Sequence, residues 1–139
     1  QAMSPMRVVL AALAGFVLYF AMGAVVFAMS PLRHEFERYP AVYRSAEGIK
    51  KTMPFGMAAM LLAMLCLAAL YALLGGTGAG WVQGTRFGAL IGAFSVCSFV
   101  IHNHVNLNIG WRLTIGQAIA YFVQWTLVGT VIGLVYRRS

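Results

Sequence analysis

The chain has 139 residues, of which 61% are apolar and only 9% are charged, whereas about a quarter of the residues in a soluble globular domain carry a charge. This composition excludes an ordinary soluble domain and indicates a single domain in a lipid bilayer. The formal net charge is +7, but the basic residues are scattered between apolar runs and form no stripe with interleaved aromatic residues, which argues against nucleic-acid binding.

Four apolar runs are long enough to cross a bilayer as helices, which takes about 20 residues each. Gln1 and Ala2 precede Met3, a candidate initiator, and we interpret them as the remnant of a tag outside a single domain, 3–139. The predicted spans cover residues 8–29, 54–75, 81–104 and 113–136. These runs lack the alternation of barrel strands, and the backbone in lipid must satisfy its own hydrogen bonds, so we expect helices.

The connections between the predicted spans differ in kind. The second is rich in glycine and the third is short, so both favour antiparallel neighbours. The first contains all three acidic residues of the chain and half of its ten basic residues. Four apolar or aromatic residues in it fall on one helical face: Leu32, Phe36, Tyr39 and Tyr43. That pattern indicates an amphipathic segment at the membrane surface, with a solvated linker as the alternative.

The predicted fold is therefore an all-α integral membrane protein, an antiparallel bundle of four transmembrane helices with an amphipathic segment after the first span. Lys and Arg residues divide four to six between the two sides of such a bundle, so charge leaves the orientation of the termini open. Membrane lipid is the expected surrounding.

Small residues repeat at every fourth position of the predicted spans, a spacing that allows close helix contact. The third span has Gly84, Gly88 and Gly92, and the fourth has Gly129 and Gly133. These faces serve packing within the bundle or, as the alternative, a homo-oligomer.

Each of the last two spans also has a line of polar residues at helical spacing. On the third span these are Ser95, Ser98, His102 and Asn106. On the fourth they are Thr114, Gln117, Tyr121 and Gln124. Exposure of both lines to lipid would leave polar groups unsatisfied. We therefore expect the lines to face each other around a polar pocket, with His102 inward and His104 pointing elsewhere, or else to form interhelical hydrogen bonds alone.

The residues that would support catalysis or metal binding are sparse. No predicted span contains Asp or Glu, the nucleotide-binding and zinc-hydrolase motifs are missing, and Cys66 and Cys97 lie in separate apolar runs. The spacing of His34, His102 and His104 suits neither a metal site nor a bis-histidine haem. We therefore predict no metal, no cofactor and no catalytic residue, and favour a non-enzymatic protein.

The last hairpin carries a pattern of Asn-Leu, Gly-Trp-x-Leu, Trp and Gly-Thr. In this chain the residues are Asn106, Leu107, Gly110, Trp111, Leu113, Trp125, Gly129 and Thr130. The pattern is similar to that of small four-span bacterial membrane proteins grouped as domain of unknown function 2177 and, less closely, 1761. The likeness extends to the first-span run GFVLYFAMGAVVF. An acidic residue expected early in the last helix is replaced here by Gln117 and Gln124. The resemblance implies the four-span fold and assigns no activity.

These observations together predict a bacterial inner-membrane protein that binds or passes a small neutral or anionic solute through a polar pocket between the third and fourth spans. Two other functions stay open, a membrane enzyme centred on His102 and a scaffold or accessory subunit of a membrane complex.

Overall fold

A computed structural model describes residues 4–28, 30–74 and 80–137 of the chain, the side chains of 28 and 137 excepted. The interpretation of Gln1 and Ala2 as a tag remnant, the predicted span ends at Met29 and Gly75, and most of the second connection lie outside these ranges. Within them the chain is helical and contains no strand.

Four helices are long and apolar enough to cross a membrane, as predicted, and they are called spans one to four here: Pro5–Phe27, Ala46–Leu74, Gly80–Asn106 and Trp111–Tyr136. Span one consists of α1 (Pro5–Gly23) and a first π-helical turn (Ala24–Ala28), and span two is α3 (Ala46–Leu74). Span three consists of α4 (Gly80–Ser95), a second π-helical turn (Val96–Val100) and α5 (Ile101–Asn106). Span four belongs to α6 (Trp111–Arg137), and α2 (Leu32–Glu37) lies in the first connection.

Span two begins at Ala46, earlier than the predicted start at residue 54. The Ser45 hydroxyl accepts a hydrogen bond from the Gly48 amide at 3.2 Å, which caps the helix at this earlier point. Pro54 consequently lies inside the helix. The charged residues 47–51 therefore extend the helix beyond its apolar part.

Spans three and four pack through their glycines. A Cβ atom placed on Gly84 would collide with the carbonyl oxygen of Gly129, and one on Gly88 would lie 2.5 Å from the carbonyl oxygen of Trp125. Only glycine permits backbones to approach this closely. The hydroxyls of Thr85 and Thr130 add a hydrogen bond of 2.6 Å between the two spans. These glycine faces are therefore occupied within the chain, and the alternative of a homo-oligomer through them loses its surface.

The hydrophobic core lies where spans one, two and four meet. Its completely buried side chains include Ala11, Met64, Ala68, Val128 and Ile132. Span two contributes buried residues only from Met64 onwards, so its first half, 46–59, is largely exposed. The opposite end of the molecule, near α2, buries Val100, Ile109 and Leu113 and adds polar and aromatic contacts.

Candidate functional site

The polar line of span four is buried, as its spacing predicts. Thr114 and Gln124 are 0% exposed and Gln117 is 4% exposed, while Tyr121 is partly buried. Thr114, Gln117 and Gln124 are the buried polar residues of the described part of the chain. A helix in lipid turns such residues inward because an unsatisfied polar group in hydrocarbon costs several kcal/mol.

The polar line of span three does not face inward, and this part of the prediction is wrong. Ser98, His102 and Asn106 are exposed, and Ser95 is only partly buried. The cause is the second π-helical turn, which inserts one extra residue and so rotates everything after it by about 100°. Asn103 and His104 consequently take the partly buried positions.

Gln117, Tyr121 and Gln124 therefore meet span one and the first connection, whereas Thr114 meets His104 of span three. The Gln124 side-chain amide donates a hydrogen bond of 2.8 Å to the carbonyl oxygen of Tyr19 in span one. The Tyr121 ring lies 5.4 Å from the Phe27 ring, centroid to centroid. Span three contributes Phe99, whose ring meets Tyr121 edge-on at 6.0 Å.

A chain of aromatic rings continues from span four into the first connection. Phe27 stands 5.8 Å from Phe36 of α2, and Phe36 stands 4.8 Å from Tyr43, each edge to face. Tyr121 and Tyr43 therefore lie at the two ends of this chain of contacts. The four residues Tyr43, Gln117, Tyr121 and Gln124 are called the amide site below.

Three polar atoms of the amide site have no hydrogen-bond partner among the described residues: Tyr43 Oη, Gln117 Oε1 and Gln124 Oε1. Burial raises the pKa of the Tyr43 phenol; the neighbouring Gln117 side chain partly offsets this, and Tyr39 adds to it. The Gln117 and Tyr43 groups are thus close, although their geometry makes no regular hydrogen bond. Each unsatisfied buried group costs about 1–3 kcal/mol. The arrangement suits a molecule that supplies the missing partners.

The first connection is fastened over this end of the bundle by two polar contacts. The Gly110 amide donates a 2.9 Å hydrogen bond to Tyr39 Oη. The carboxylate of Glu35 lies 3.5 Å from the Arg38 guanidinium and 3.9 Å from that of Arg112. The predicted apolar face of this segment is partly buried at all four positions, Leu32, Phe36, Tyr39 and Tyr43. Its helix ends at Glu37, and turns follow.

Sequence reasoning missed Tyr43 as a site residue because it assigned the first connection to the membrane surface. The shared helical face of Phe36, Tyr39 and Tyr43 was the available signal. It indicated that these residues would be covered, but by lipid headgroups and not by span four.

His104 is the histidine that gains partners inside the molecule. Its Nδ1 lies 2.8 Å from the Thr114 hydroxyl, and its ring stacks on Trp111 with centroids 3.8 Å apart. The described residues contain no group of three or more His, Cys, Asp or Glu side chains that could hold a metal ion. The contacts of His104 therefore join the ends of spans three and four.

An apolar groove of about 330 Å³ runs beside the amide site, on the neighbouring face of span four. Its lining comes from spans one and four and from the beginning of the first connection: Met22, Val26, Ser30, Leu32, Gly116, Ile119, Ala120 and Val123. Leu32 sits close over Gly116, where an added Cβ would lie 2.6 Å from Leu32 Cδ1.

No protein family, no curated protein and no solved structure matches this chain.

Proposed function

We propose that the chain is an integral protein of the bacterial inner membrane that binds a small polar solute at the amide site. The observation that carries the proposal is the pair of buried glutamine oxygens, Gln117 Oε1 and Gln124 Oε1, which have no partner among the described residues. Two carbonyl oxygens without hydrogen-bond donors in a low-dielectric interior would destabilise the fold, whereas a bound solute that donates to them would offset that cost.

Membrane embedding is supported by the four long apolar helices. An antiparallel arrangement is supported by the glycine contacts, in which Gly84, Gly88 and Gly92 meet successively earlier residues of span four. In this arrangement Tyr43 and Gln117 lie towards the membrane surface that α2 covers, and Gln124 lies two helical turns deeper, near the middle of span four. The predicted pocket between spans three and four is thereby relocated to the space between span four, span one and the first connection.

Thiol accessibility tests the proposal. In a background with Cys66→Ala and Cys97→Ala, we compare Gln124→Cys with Val128→Cys. The two parent residues are equally buried, at 0% exposure, and lie one turn apart on α6. The probe is 2-hydroxyethyl methanethiosulfonate, which is neutral and about as large as a small solute. We expect the thiol at position 124 to react at least about tenfold faster, because only an accessible thiolate reacts.

Equally slow reaction at both positions would contradict solute binding. The glutamines would then serve helix contact alone, and a scaffold or accessory role would gain support.

A further inference from the structure

We infer that the solute of the amide site is electrically neutral and carries N–H or O–H donors, as a small carboxamide does. The inference rests on the proposed function and narrows it to one chemical class. Its evidence is the orientation of the glutamines, the position of the charged residues and the aromatic surroundings.

The orientation of Gln124 is dictated by its partner. A backbone carbonyl can only accept hydrogen bonds, so the group facing the Tyr19 oxygen at 2.8 Å must be the Gln124 Nε2 donor. Its Oε1 then points away from Tyr19 and has no donor among the described residues. Gln117 presents a second such oxygen. Two acceptors without donors call for a solute that donates, and the unpaired Tyr43 hydroxyl beside Gln117 can in turn donate to an acceptor of that solute.

The charges of the chain lie elsewhere, which excludes an ion. The buried polar side chains of the described ranges, Thr114, Gln117 and Gln124, are all neutral. The side chains of Arg38 and Arg112 are 62% and 78% exposed. An anion would face two carbonyl oxygens with no buried cation beside it, and its burial without a partner is costly.

A cation lacks a counter-charge as well. The chain has only three acidic residues. Glu35 is engaged by Arg38 and Arg112, Glu37 by Arg33, and Glu47 is exposed in the first turn of α3. Among the described residues, the amide site therefore has no buried carboxylate that could neutralise a cation. A neutral solute with donor groups avoids the cost of burying an anion without a cation and that of burying a cation without a carboxylate. Of the neutral or anionic solutes that the sequence predicts, we therefore keep the neutral ones.

The aromatic rings suit the hydrocarbon part of such a solute. Phe27, Phe36 and Tyr121 form a continuous series of ring contacts beside the glutamines. A carboxamide can donate an N–H group to a glutamine oxygen and accept from the Tyr43 hydroxyl with its own carbonyl, while its methyl group packs on these rings.

Three probes of nearly the same size separate the classes: acetamide is neutral, acetate is anionic and methylammonium is cationic. Each has one methyl signal, so saturation-transfer NMR can compare their binding to the purified full chain in nanodiscs. We expect transfer from the aromatic protons to acetamide and little to the two ions. Combined Gln117→Leu and Gln124→Leu substitutions should weaken the acetamide signal at least about fivefold, as the loss of hydrogen bonds implies. Asn106→Leu, at an exposed position of span three, should leave it unchanged.

A second variant reverses the selectivity and keeps the test independent of the leucine substitutions. Gln117→Glu has the same shape and adds a carboxylate, so methylammonium should now bind better than acetamide. Stronger binding of acetate or methylammonium to the parent protein would overturn the inference while leaving solute binding intact. An acetamide signal that survives the double substitution would overturn it too. Absence of acetamide binding, together with fast reaction of the Gln124→Cys thiol, would refute the chemical class and not the site.

Discussion

His102 and His104 stand two residues apart on span three, yet their surroundings differ because the second π-helical turn directs His104 towards span four. His104→Leu removes the contact with the buried Thr114 hydroxyl and the stacking on Trp111. We expect it to lower the free energy of unfolding by about 1–2 kcal/mol. His102→Leu, at an exposed position, should change it by less than about 0.5 kcal/mol. Unfolding of both variants in detergent, monitored by circular dichroism, makes the comparison, and equal losses would contradict the structure.

The burial of the single residue Tyr43 can be tested through the pH dependence of stability. Burial raises the pKa of its phenol above the ordinary value of 10.0, which applies to the unfolded chain. At a pH between the unfolded-state pKa and the folded-state pKa, the unfolded chain therefore loses the phenol proton that the folded chain keeps. The corresponding stability is present below pH 10 and is lost as the pH rises through the folded-state pKa. We expect the free energy of unfolding to fall above pH 10, and to fall less in Tyr43→Phe. Parallel curves for the two proteins would show that Tyr43 is not buried.

The π-helical turns act at the scale of whole elements, because each changes which residues a span turns inward. Removal of the exposed Cys97 from the second turn should convert it to regular α-helix and keep both halves of span three on their present faces. We expect a change in unfolding free energy of less than about 1 kcal/mol.

Deletion of Leu90 is the control, since it also removes an exposed residue, but from the regular part, α4. That deletion rotates everything after it away from span four and should cost more than about 3 kcal/mol. A severe loss on removal of Cys97 would mean that the π-helical geometry itself is required.

The close packing of spans three and four at their glycines can be tested by alanine substitution. Gly88→Ala places a Cβ 2.5 Å from a backbone oxygen that cannot move aside, whereas Gly56→Ala meets nothing within 4 Å. We expect Gly88→Ala to lower stability by more than about 3 kcal/mol or to prevent folding. Gly56→Ala should be neutral or stabilise by up to about 1 kcal/mol. Similar melting temperatures in detergent would rule out the close contact.

The arrangement of the whole molecule in the membrane can be tested by sidedness. If the four spans form the proposed antiparallel bundle, Ser4→Cys and Trp81→Cys lie on one side of the membrane, and Ser45→Cys and Asn108→Cys on the other. A membrane-impermeant maleimide applied to sealed vesicles of known orientation, with both native cysteines replaced by alanine, should label one pair only. Labelling of Ser4→Cys together with Ser45→Cys would contradict the topology.

Much of this architecture could be predicted from the sequence, because span length, glycine spacing and the polar line of span four depend on local patterns. Gln117 and Gln124 belong to a helix of uniform period, and their burial follows from that period. Ser98, His102 and Asn106 belong to a span whose helical period changes at the second π-helical turn. The residue types in that turn do not predict the change. A single inserted residue costs little locally, yet it redirects every side chain after it.

The sequence by itself determined that the chain is a set of four apolar helices with buried amides in the last one, since the bilayer penalises any other placement of these residues. Only the tertiary structure decided what the amides face. The first connection folds back so that Tyr39 accepts the Gly110 amide and Tyr43 reaches Gln117. These contacts join residues that are far apart in the chain, and their energies depend on how the spans pack and on no pattern within a single segment.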